Sequence, residues 1–240
     1  MTMKRLRRQL LAVSGALAAG AAMPRPATAA TPADAATKAA ATRHIVLLGD
    51  SILDNGAYTR GSPDVIAQVR ERLPGGWKAT LLAVDGATTA GIPSQLAKLP
   101  ADATDLVLSV GGNDALGRQD VLSRRSASVG EALRLLAGEL RGFEADYRKA
   151  VAACLAPRLP LTVCTIYNGN FPDPAYQQAV STAIALFDDV IQRTATERRL
   201  RLIELRHVCT AAADYANPIE PSSIGGAKIA DAILRAVRGA

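Results

Sequence analysis

Five apolar runs of strand length alternate with segments of helical spacing along this chain of 240 residues. The runs cover residues 44–48, 79–84, 105–110, 161–167 and 200–205, and the helical segments cover residues 63–73, 92–99, 130–155, 175–198 and 223–238. Several runs are unbroken, which is typical of strands that helices cover on both faces. Strand alternating with helix predicts one α/β domain over residues 43–240, built on a five-stranded parallel sheet.

The N-terminus has the pattern of an export signal. Residues 1–29 have basic residues at positions 4, 5, 7 and 8, continue with an apolar stretch over residues 10–22 and end at Ala27-Thr28-Ala29. This pattern predicts a signal peptide and a periplasmic or extracellular protein. The Arg7-Arg8 pair fits a twin-arginine signal as well as an ordinary Sec signal. The apolar stretch is shorter than the about 20 residues that cross a bilayer, so we expect no stable membrane insertion after cleavage.

The rest of the chain is nearly neutral. Residues 30–42 consist largely of Ala and Thr, and they predict a flexible leader before the domain. Because residues 1–29 contain five basic residues and no acidic ones, 23 basic and 22 acidic residues remain after cleavage. This balance leaves no basic surface for nucleic acid, which we therefore exclude as a partner.

Cys154, Cys164 and Cys209 make an odd number of cysteines in a chain that we expect to be exported. A disulfide between Cys164 and Cys209, which fall on or just after predicted strands, is one interpretation. Three buried free thiols are the favoured interpretation, because three cysteines do not form the disulfide framework of a small secreted domain.

Short polar motifs follow the first three predicted strands. Gly49-Asp50-Ser51 follows the first, Gly86 the second, and Gly111-Gly112-Asn113-Asp114 the third. Ligands of open parallel sheets bind beyond the carboxyl ends of the strands, where all three motifs are expected. A serine nucleophile needs a base and donors for the oxyanion, and the Gly86 N–H and the Asn113 amide are such donors. Each motif alone also fits an ordinary turn, but their order on successive strands predicts an acyl-hydrolase site with Ser51 as nucleophile.

With these motifs the chain resembles the SGNH/GDSL hydrolase family over essentially the whole region after the leader. The resemblance implies a flavodoxin-like three-layer sandwich that hydrolyses esters, thioesters or acetylated sugars without a metal or other cofactor. It implies that Ser51 is the nucleophile, and that Ser51, Gly86 and Asn113 form the oxyanion hole. It also implies that Asp50 and Asp114 brace the surrounding loops. The expected substrate is a small-molecule or glycan ester.

The last motif of the family is altered in this chain. Family members usually have Asp-x-x-His-Pro before the final helix, whereas this chain has Asn217-Pro218-Ile219-Glu220-Pro221. Asn217 therefore stands for the aspartate, and Glu220 stands for the histidine that acts as the base. An ordinary glutamate has a pKa of about 4.3 against about 6.5 for histidine, so it is the weaker base near neutral pH.

Neither histidine of the chain occupies the family position. His44 opens the first strand, roughly 20 Å from Ser51 at about 3.3 Å per residue, which excludes it as the base. His207 follows the fifth strand at the correct edge of the sheet and is the alternative base, although a surface or capping histidine is the favoured interpretation. With no His-x-His motif or clustered glutamates beside Asp50, Asp54 and Asp114, we predict no catalytic metal.

Two functions of different classes fit this sequence. The first is an exported serine hydrolase, an esterase or acetyl esterase, that attacks with Ser51. The second is a binding protein on the same scaffold, for an envelope glycan or lipid, in which the changes at Asn217 and Glu220 have removed catalysis. A variant of the first is an enzyme with an acid optimum, in which Glu220 is the base and titrates at about pH 5–6 through burial.

Residues 117–130 are expected at the edge of the site, and Asn55 and Asp85 are expected to be turn residues.

Overall fold

Five parallel strands form the sheet of this protein, whose computed structural model describes residues 42–239. The strands are β1 (His44–Gly49), β2 (Lys78–Leu81), β3 (Asp105–Ser109), β4 (Leu161–Cys164) and β5 (Arg201–Ile203). They lie in the order β2-β1-β3-β4-β5, and each neighbouring pair is parallel. This is the order of the flavodoxin-like doubly wound folds, so the predicted fold class is confirmed. The predicted signal peptide and residues 30–41 of the leader lie outside the described residues.

Helices cover both faces of the sheet and complete a three-layer sandwich. The α-helices are α1 (Val65–Glu71), α2 (Ile92–Leu96), α3 (Gly112–Leu116), α4 (Val129–Leu155), α5 (Pro174–Arg198), α6 (Leu205–Val208) and α7 (Ser223–Arg238). Short 3-10 turns cover Gly56–Tyr58, Thr89–Gly91, Gln119–Ser123 and Ala212–Asp214. The core on one face packs α1, α6 and α7 against the sheet, and the core on the other face packs α2, α4 and α5.

The central strand β1 shows why its sequence is an unbroken apolar run. Ile45 and Leu47 point into the core beneath α1 and α7, whereas Val46 and Leu48 point into the core beneath α4 and α5. All four side chains are fully buried. Because successive side chains of a strand face opposite ways, a strand covered on both faces needs apolar residues at every position.

Polar capping residues fix where the helices begin. Asp64 caps α1, so this helix begins at Val65. The sequence predicted a start at position 63, two residues earlier. Asp173 caps α5 by accepting from Ala175 N at 2.9 Å, and Pro174 is the first helical residue, one position before the predicted segment 175–198. Ser222 caps α7 and therefore sets the position of the residues directly before that helix.

Several strand ends differ from those that the sequence predicts. β4 ends at Cys164 and β5 ends at Ile203, so residues 165–167 and Leu205 lie beyond the strands. The Glu204 side chain ends β5 because it accepts from Arg206 N and caps α6. Gly112-Asn113-Asp114, a motif that taken alone also fitted an ordinary turn, opens α3 instead. Apolar residues continue past both strand ends, and the sequence therefore did not show these boundaries.

The three cysteines are buried free thiols, as favoured from the sequence. Cys164 and Cys209 do not form a disulfide. Burial raises the pKa of the Cys154 and Cys209 thiols to about 12, so both stay protonated at neutral pH.

Among residues 42–239, no helix combines the length and the apolarity that crossing a bilayer requires.

Gly49 ends β1 in a conformation in which a side chain would point into the backbone of β3. Its φ is +132°, and a Cβ at this position would lie 1.7 Å from the carbonyl oxygen of Ser109. Asp50 N donates to that same oxygen at 3.1 Å. The buried Gln95 amide bonds both backbone groups of Gly49, accepting from its N–H at 2.8 Å and donating to its carbonyl at 2.7 Å. No residue other than glycine fits here without moving one of the two strands.

We predict that Gly49→Ala lowers the free energy of unfolding by at least about 3 kcal/mol, because its methyl group would overlap the backbone of β3. Urea denaturation followed by circular dichroism measures this loss. Gly75→Ala is the matched control, because a Cβ at Gly75 would meet nothing within 4 Å. A Gly49→Ala protein as stable as the control would contradict the close approach of the two strands.

Candidate active site

Ser51 lies in a tight turn directly after β1 and contacts Glu220. The turn closes where Leu53 N and Asp54 N both donate to the carbonyl of Asp50, at 3.1 and 3.0 Å. The Ser51 hydroxyl donates to Glu220 Oε1 at 3.1 Å, across 169 residues of sequence. Both side chains are buried, with 5% and 6% of their surface exposed. The structure thus brings together the predicted nucleophile and the residue predicted in place of the histidine.

Glu220 is a much stronger base than an ordinary glutamate. Burial raises the pKa of its carboxyl to about 7, and the negative charge of Asp85 adds to the rise, while the hydrogen bond from Ser51 opposes it. This pKa is above the pH 5–6 range predicted from the sequence. The second carboxyl oxygen, Oε2, is buried and has no hydrogen-bond partner in the described part of the chain. An anionic carboxylate with one unpaired oxygen is costly to bury, and this cost is what favours its protonation.

Asn217 holds the backbone of Glu220 and does not contact its carboxyl group. Its side-chain oxygen accepts from Ile219 N at 2.9 Å and from Glu220 N at 3.0 Å. This is an Asx turn, in which a side chain fixes the backbone two and three residues further on. Asn217 therefore supports the position of Glu220, but not in the way that an aspartate orients a histidine.

The loop that presents Glu220 is held at every carbonyl from position 218 to position 221. The donors come from three separate segments of the chain, so the loop is fixed from several sides. The pairs are Asn170 N to Pro218 O (2.8 Å), Tyr167 OH to Ile219 O (2.6 Å), Ala216 N to Glu220 O (2.9 Å) and Asn55 Nδ2 to Pro221 O (3.1 Å). A base held in this way keeps its place beside Ser51 without a third residue on its carboxyl group.

Asn55 and Tyr167 are site-building residues that sequence reasoning missed. Asn55 was expected to be a turn residue, but it is fully buried and also accepts from Val65 N, at the start of α1. Tyr167 is the last residue of the apolar run that contains β4. A polar aromatic residue at the carboxyl end of a buried strand was the available signal, because its hydroxyl must find a partner when it is buried.

The expected oxyanion donors do not all line one cavity. Asn113 and Ser51 line the cavity that contains Glu220, but Gly86 does not. One N–H of the Asn113 amide donates to the carbonyl of Ala87 at 3.0 Å, and the second N–H has no acceptor in the part of the chain that the structure describes. Within residues 42–239, the backbone N–H groups of Ser51 and Gly86 donate to no backbone or side-chain acceptor. The role of Gly86 stays a prediction.

The two aspartates that were expected to brace the loops are both buried. Asp114 accepts from Thr89 N at 3.0 Å and from Thr89 Oγ1 at 2.6 Å, and so ties α3 to the turn after β2. Asp50 accepts from Ile52 N at 3.1 Å. Burial, with the nearby charge of Glu220, raises the pKa of Asp50 to about 8. Asp50 is therefore mostly neutral at pH 7 and adds little negative charge beside Ser51.

The structure brings neither histidine to Ser51. His207 is exposed on α6 and does not line the cavity. His44 opens β1 at the opposite edge of the sheet, where its ring contacts Asp102 and Thr80, each at 2.8 Å. Among the described residues, no group of three His, Cys, Asp or Glu side chains is arranged to hold a metal ion.

Comparisons with known proteins identify the family and the fold of the chain. The model of the GDSL-like lipase/acylhydrolase family matches residues 47–224. An extracellular lipase from Streptomyces rimosus has the same fold, with a TM-score of 0.59, 16% identity, and coverage of 82% of this chain and 99% of that one. A lipase from a goat rumen metagenome gives a TM-score of 0.62, 16% identity and coverage of 81% and 97%. An acetyl xylan esterase from Geobacillus stearothermophilus gives a TM-score of 0.57 and 18% identity, with coverage of 81% of this chain and 94% of that one. No curated protein sequence matches the chain.

We predict that stability falls as the pH rises from 5 to 8. Burial raises the pKa of Asp50 to about 8, and it raises the pKa values of Asp188 and Glu220 to about 7 each. In the unfolded chain, carboxyl groups titrate at about pH 4. Between these limits the folded protein binds more protons than the unfolded chain, so the free energy of unfolding decreases with pH. Urea midpoints measured at pH 5 and pH 8 test this.

The Asp50→Asn variant should show a smaller decrease, because it removes the most strongly shifted of the three groups. Asp146→Asn is the control, since the carboxylate of Asp146 is exposed on α4 and, among the described residues, forms a hydrogen bond only with the exposed Lys149. The same pH dependence in Asp50→Asn and in the control would show that Asp50 is not held neutral.

Proposed function

Because the chain belongs to the GDSL-like lipase/acylhydrolase family, we propose that it hydrolyses carboxylic esters with Ser51 as nucleophile and Glu220 as base. The observation that carries this proposal is the 3.1 Å hydrogen bond from the Ser51 hydroxyl to Glu220 Oε1 in a buried site. A hydroxyl that already donates to a basic carboxylate is placed to transfer its proton as it attacks.

In this proposal Glu220 replaces the family's histidine, and Asn217 replaces the aspartate. The two replacements are consistent with each other. A histidine base becomes a cation when it takes the proton, and a neighbouring carboxylate stabilises that cation and fixes the ring tautomer. A glutamate base begins as an anion and becomes neutral, and it has no tautomer to fix. It therefore needs no carboxylate partner, and a neutral residue that holds its backbone, as Asn217 does, is sufficient.

The reaction proceeds in two steps that share one proton acceptor. Ser51 Oγ attacks the ester carbonyl while its proton moves to Glu220, and the carbonyl oxygen becomes an oxyanion. The Asn113 amide and the Ser51 and Gly86 N–H groups donate to that oxyanion. Glu220 then gives the proton to the departing alkoxide, which leaves as the alcohol. In the second step Glu220 takes a proton from water, the hydroxide attacks the acyl-Ser51 ester, and the carboxylic acid leaves while Ser51 regains a proton from Glu220.

The neutral form of Asp50 supports this mechanism. A second carboxylate beside Ser51 would repel both the anionic Glu220 and the oxyanion that forms on attack. Burial keeps Asp50 mostly protonated at neutral pH, so this repulsion is small.

The proposal also includes export from the cytoplasm, which the signal pattern of residues 1–29 supports.

One observation favours the alternative, a protein of this fold that binds an envelope glycan or lipid without hydrolysing it. Glu220 Oε2 has no partner in the described residues, so the base lacks the second contact that a triad histidine receives from its aspartate. If this lack makes Glu220 ineffective, Ser51 is not activated.

We predict that the mature protein reacts with a fluorophosphonate at Ser51, and that Glu220→Gln slows the reaction by about 10²–10⁴-fold, the usual contribution of a general base. The glutamine keeps the size of the side chain but cannot accept the proton as a carboxylate does. Mass spectrometry of the labelled peptide measures both the rate and the site.

Ser51→Ala should lose the label, and Glu71→Gln should keep it, because Glu71 is an exposed residue at the end of α1. No labelling of the native protein between pH 4 and 8 would favour the binding protein. Labelling of Glu220→Gln at the native rate would show that Glu220 is not the base.

We also predict that kcat/KM for a neutral ester rises tenfold per pH unit below about pH 7, where Glu220 ionises, and falls again above about pH 8, where Asp50 becomes a second anion beside Ser51. Only the deprotonated form of Glu220 can accept a proton, and its pKa is about 7. Asp85→Asn should shift the rising part of the pH profile to lower pH, because the charge of Asp85 raises the pKa of Glu220. A rising part that does not shift in Asp85→Asn and is still present in Glu220→Gln would contradict the assignment of Glu220 as the base. The measurement is a series of initial rates from pH 5 to 9.

A further inference from the structure

An apolar cleft opens directly on Ser51 and extends between α3, α4 and α5. Apolar side chains from these helices and from the ends of the strands form most of its wall. They include Val110, Leu116, Leu122, Leu136, Ile184 and Phe187. Ser51, Asn113 and Glu220 line the same cleft at its inner end. The cleft is therefore continuous with the site of attack.

Helix α5 presents one face along the length of the cleft. The residues of α5 that line it are Tyr176, Val180, Ala183, Ile184 and Phe187. Their spacing of three and four residues puts them on one side of a helix. At the outer end the Tyr176 hydroxyl donates to Gln119 Oε1 at 3.2 Å, which joins α5 to the turn Gln119–Ser123 across the cleft. Arg118 and Glu139 stand at the polar edge of the cleft and pair at 3.9 Å.

The position of Glu220 decides which part of an ester enters the cleft. In the tetrahedral intermediate one oxygen faces the oxyanion donors, and the leaving oxygen must lie near Glu220 to receive its proton. Glu220 lies two residues before the Ser222 cap of α7, a helix that packs on the face of the sheet opposite to α4 and α5. The remaining substituent, the acyl chain, therefore points toward α4 and α5, where the cleft lies.

We propose that this cleft binds the acyl chain of the substrate, and that the chain is a linear apolar one longer than acetyl. The inference rests on the proposed function and narrows its substrate class. The cleft encloses about 100 Å³. Because a cavity of about 150 Å³ holds benzene, this volume accommodates roughly four carbons, and longer chains continue past the open side. A sugar on this side would leave its hydroxyls without partners against an apolar wall.

Two series of esters test which half of the substrate the cleft binds. With a constant p-nitrophenol, kcat/KM should rise about four-fold per methylene from acetate to butyrate, and level off once the cleft is full. With a constant acetyl group, kcat/KM should change little between methyl, butyl and hexyl alcohols. Equal rates for acetate and butyrate, or a rise only in the alcohol series, would overturn the proposal while leaving ester hydrolysis by Ser51 intact.

A pair of matched variants locates the chain on α5. Ala183→Trp places an indole in the cleft, whereas Ala185→Trp places it on the exposed side of the same helix, where Ala185 does not line the cleft. Ala183→Trp should lower kcat/KM for the hexanoate at least about ten-fold and change the acetate value much less. Ala185→Trp should behave as the native protein with both esters. Equal losses for the two esters in Ala183→Trp would contradict the assignment.

A binding measurement separates failure of this inference from failure of the proposed function. Hexanamide should bind to Ser51→Ala more tightly than acetamide in calorimetric or NMR titration, and the additional Ala183→Trp change should remove the difference. If no ester is hydrolysed but this preference is found, the cleft is an apolar-chain site in a binding protein. If esters are hydrolysed but Ser51→Ala binds hexanamide no more tightly than acetamide, the cleft does not hold the acyl chain.

Discussion

The carboxyl ends of β1 and β3 meet at a contact that only glycine permits, and the site depends on this contact. A Cβ at Gly49 would lie 1.7 Å from the Ser109 carbonyl, to which Asp50 N donates. Because the two strands end together, the turn that bears Ser51 and the helix that bears Asn113 begin side by side. The Gln95 amide, bonded to both backbone groups of Gly49, keeps the strand end in this position. A wider separation of β1 and β3 would divide the nucleophile from the donor that faces it.

Burial decides how the acidic groups of the site behave. Removing Glu220 from water raises its pKa to about 7, which gives a glutamate the basicity of a histidine. The same effect keeps the neighbouring Asp50 mostly neutral, so one carboxylate and not two lies beside Ser51. The backbone carbonyls around Glu220 are all bonded, and they hold the side chain in place without charging its surroundings. A carboxylate base therefore fits a site whose walls are largely apolar.

The sequence predicted the five strands, the parallel sheet and the edge at which Ser51, Asn113 and Glu220 lie. Each prediction depended on a local pattern, either an unbroken apolar run or a short motif at its end. The ends of β4 and β5, the helix at Gly112, and the burial of Asn55 were not predicted. These features depend on partners far along the chain. Asn55, for example, bonds Pro221 across 166 residues, and nothing in the residues around position 55 indicates this contact.

The sequence by itself determined the order of strands and helices and the residue types available at the carboxyl edge, because apolar periodicity and strand order are properties of adjacent residues. It also showed that a glutamate stands where a histidine is usual. Only the tertiary structure decided whether that glutamate reaches Ser51 and how basic it is. Both depend on desolvation and on contacts among α1, α7 and the segment after β4. The apolar cleft was likewise decided by the tertiary structure, since its walls come from helices that are distant in sequence and meet only in the folded protein.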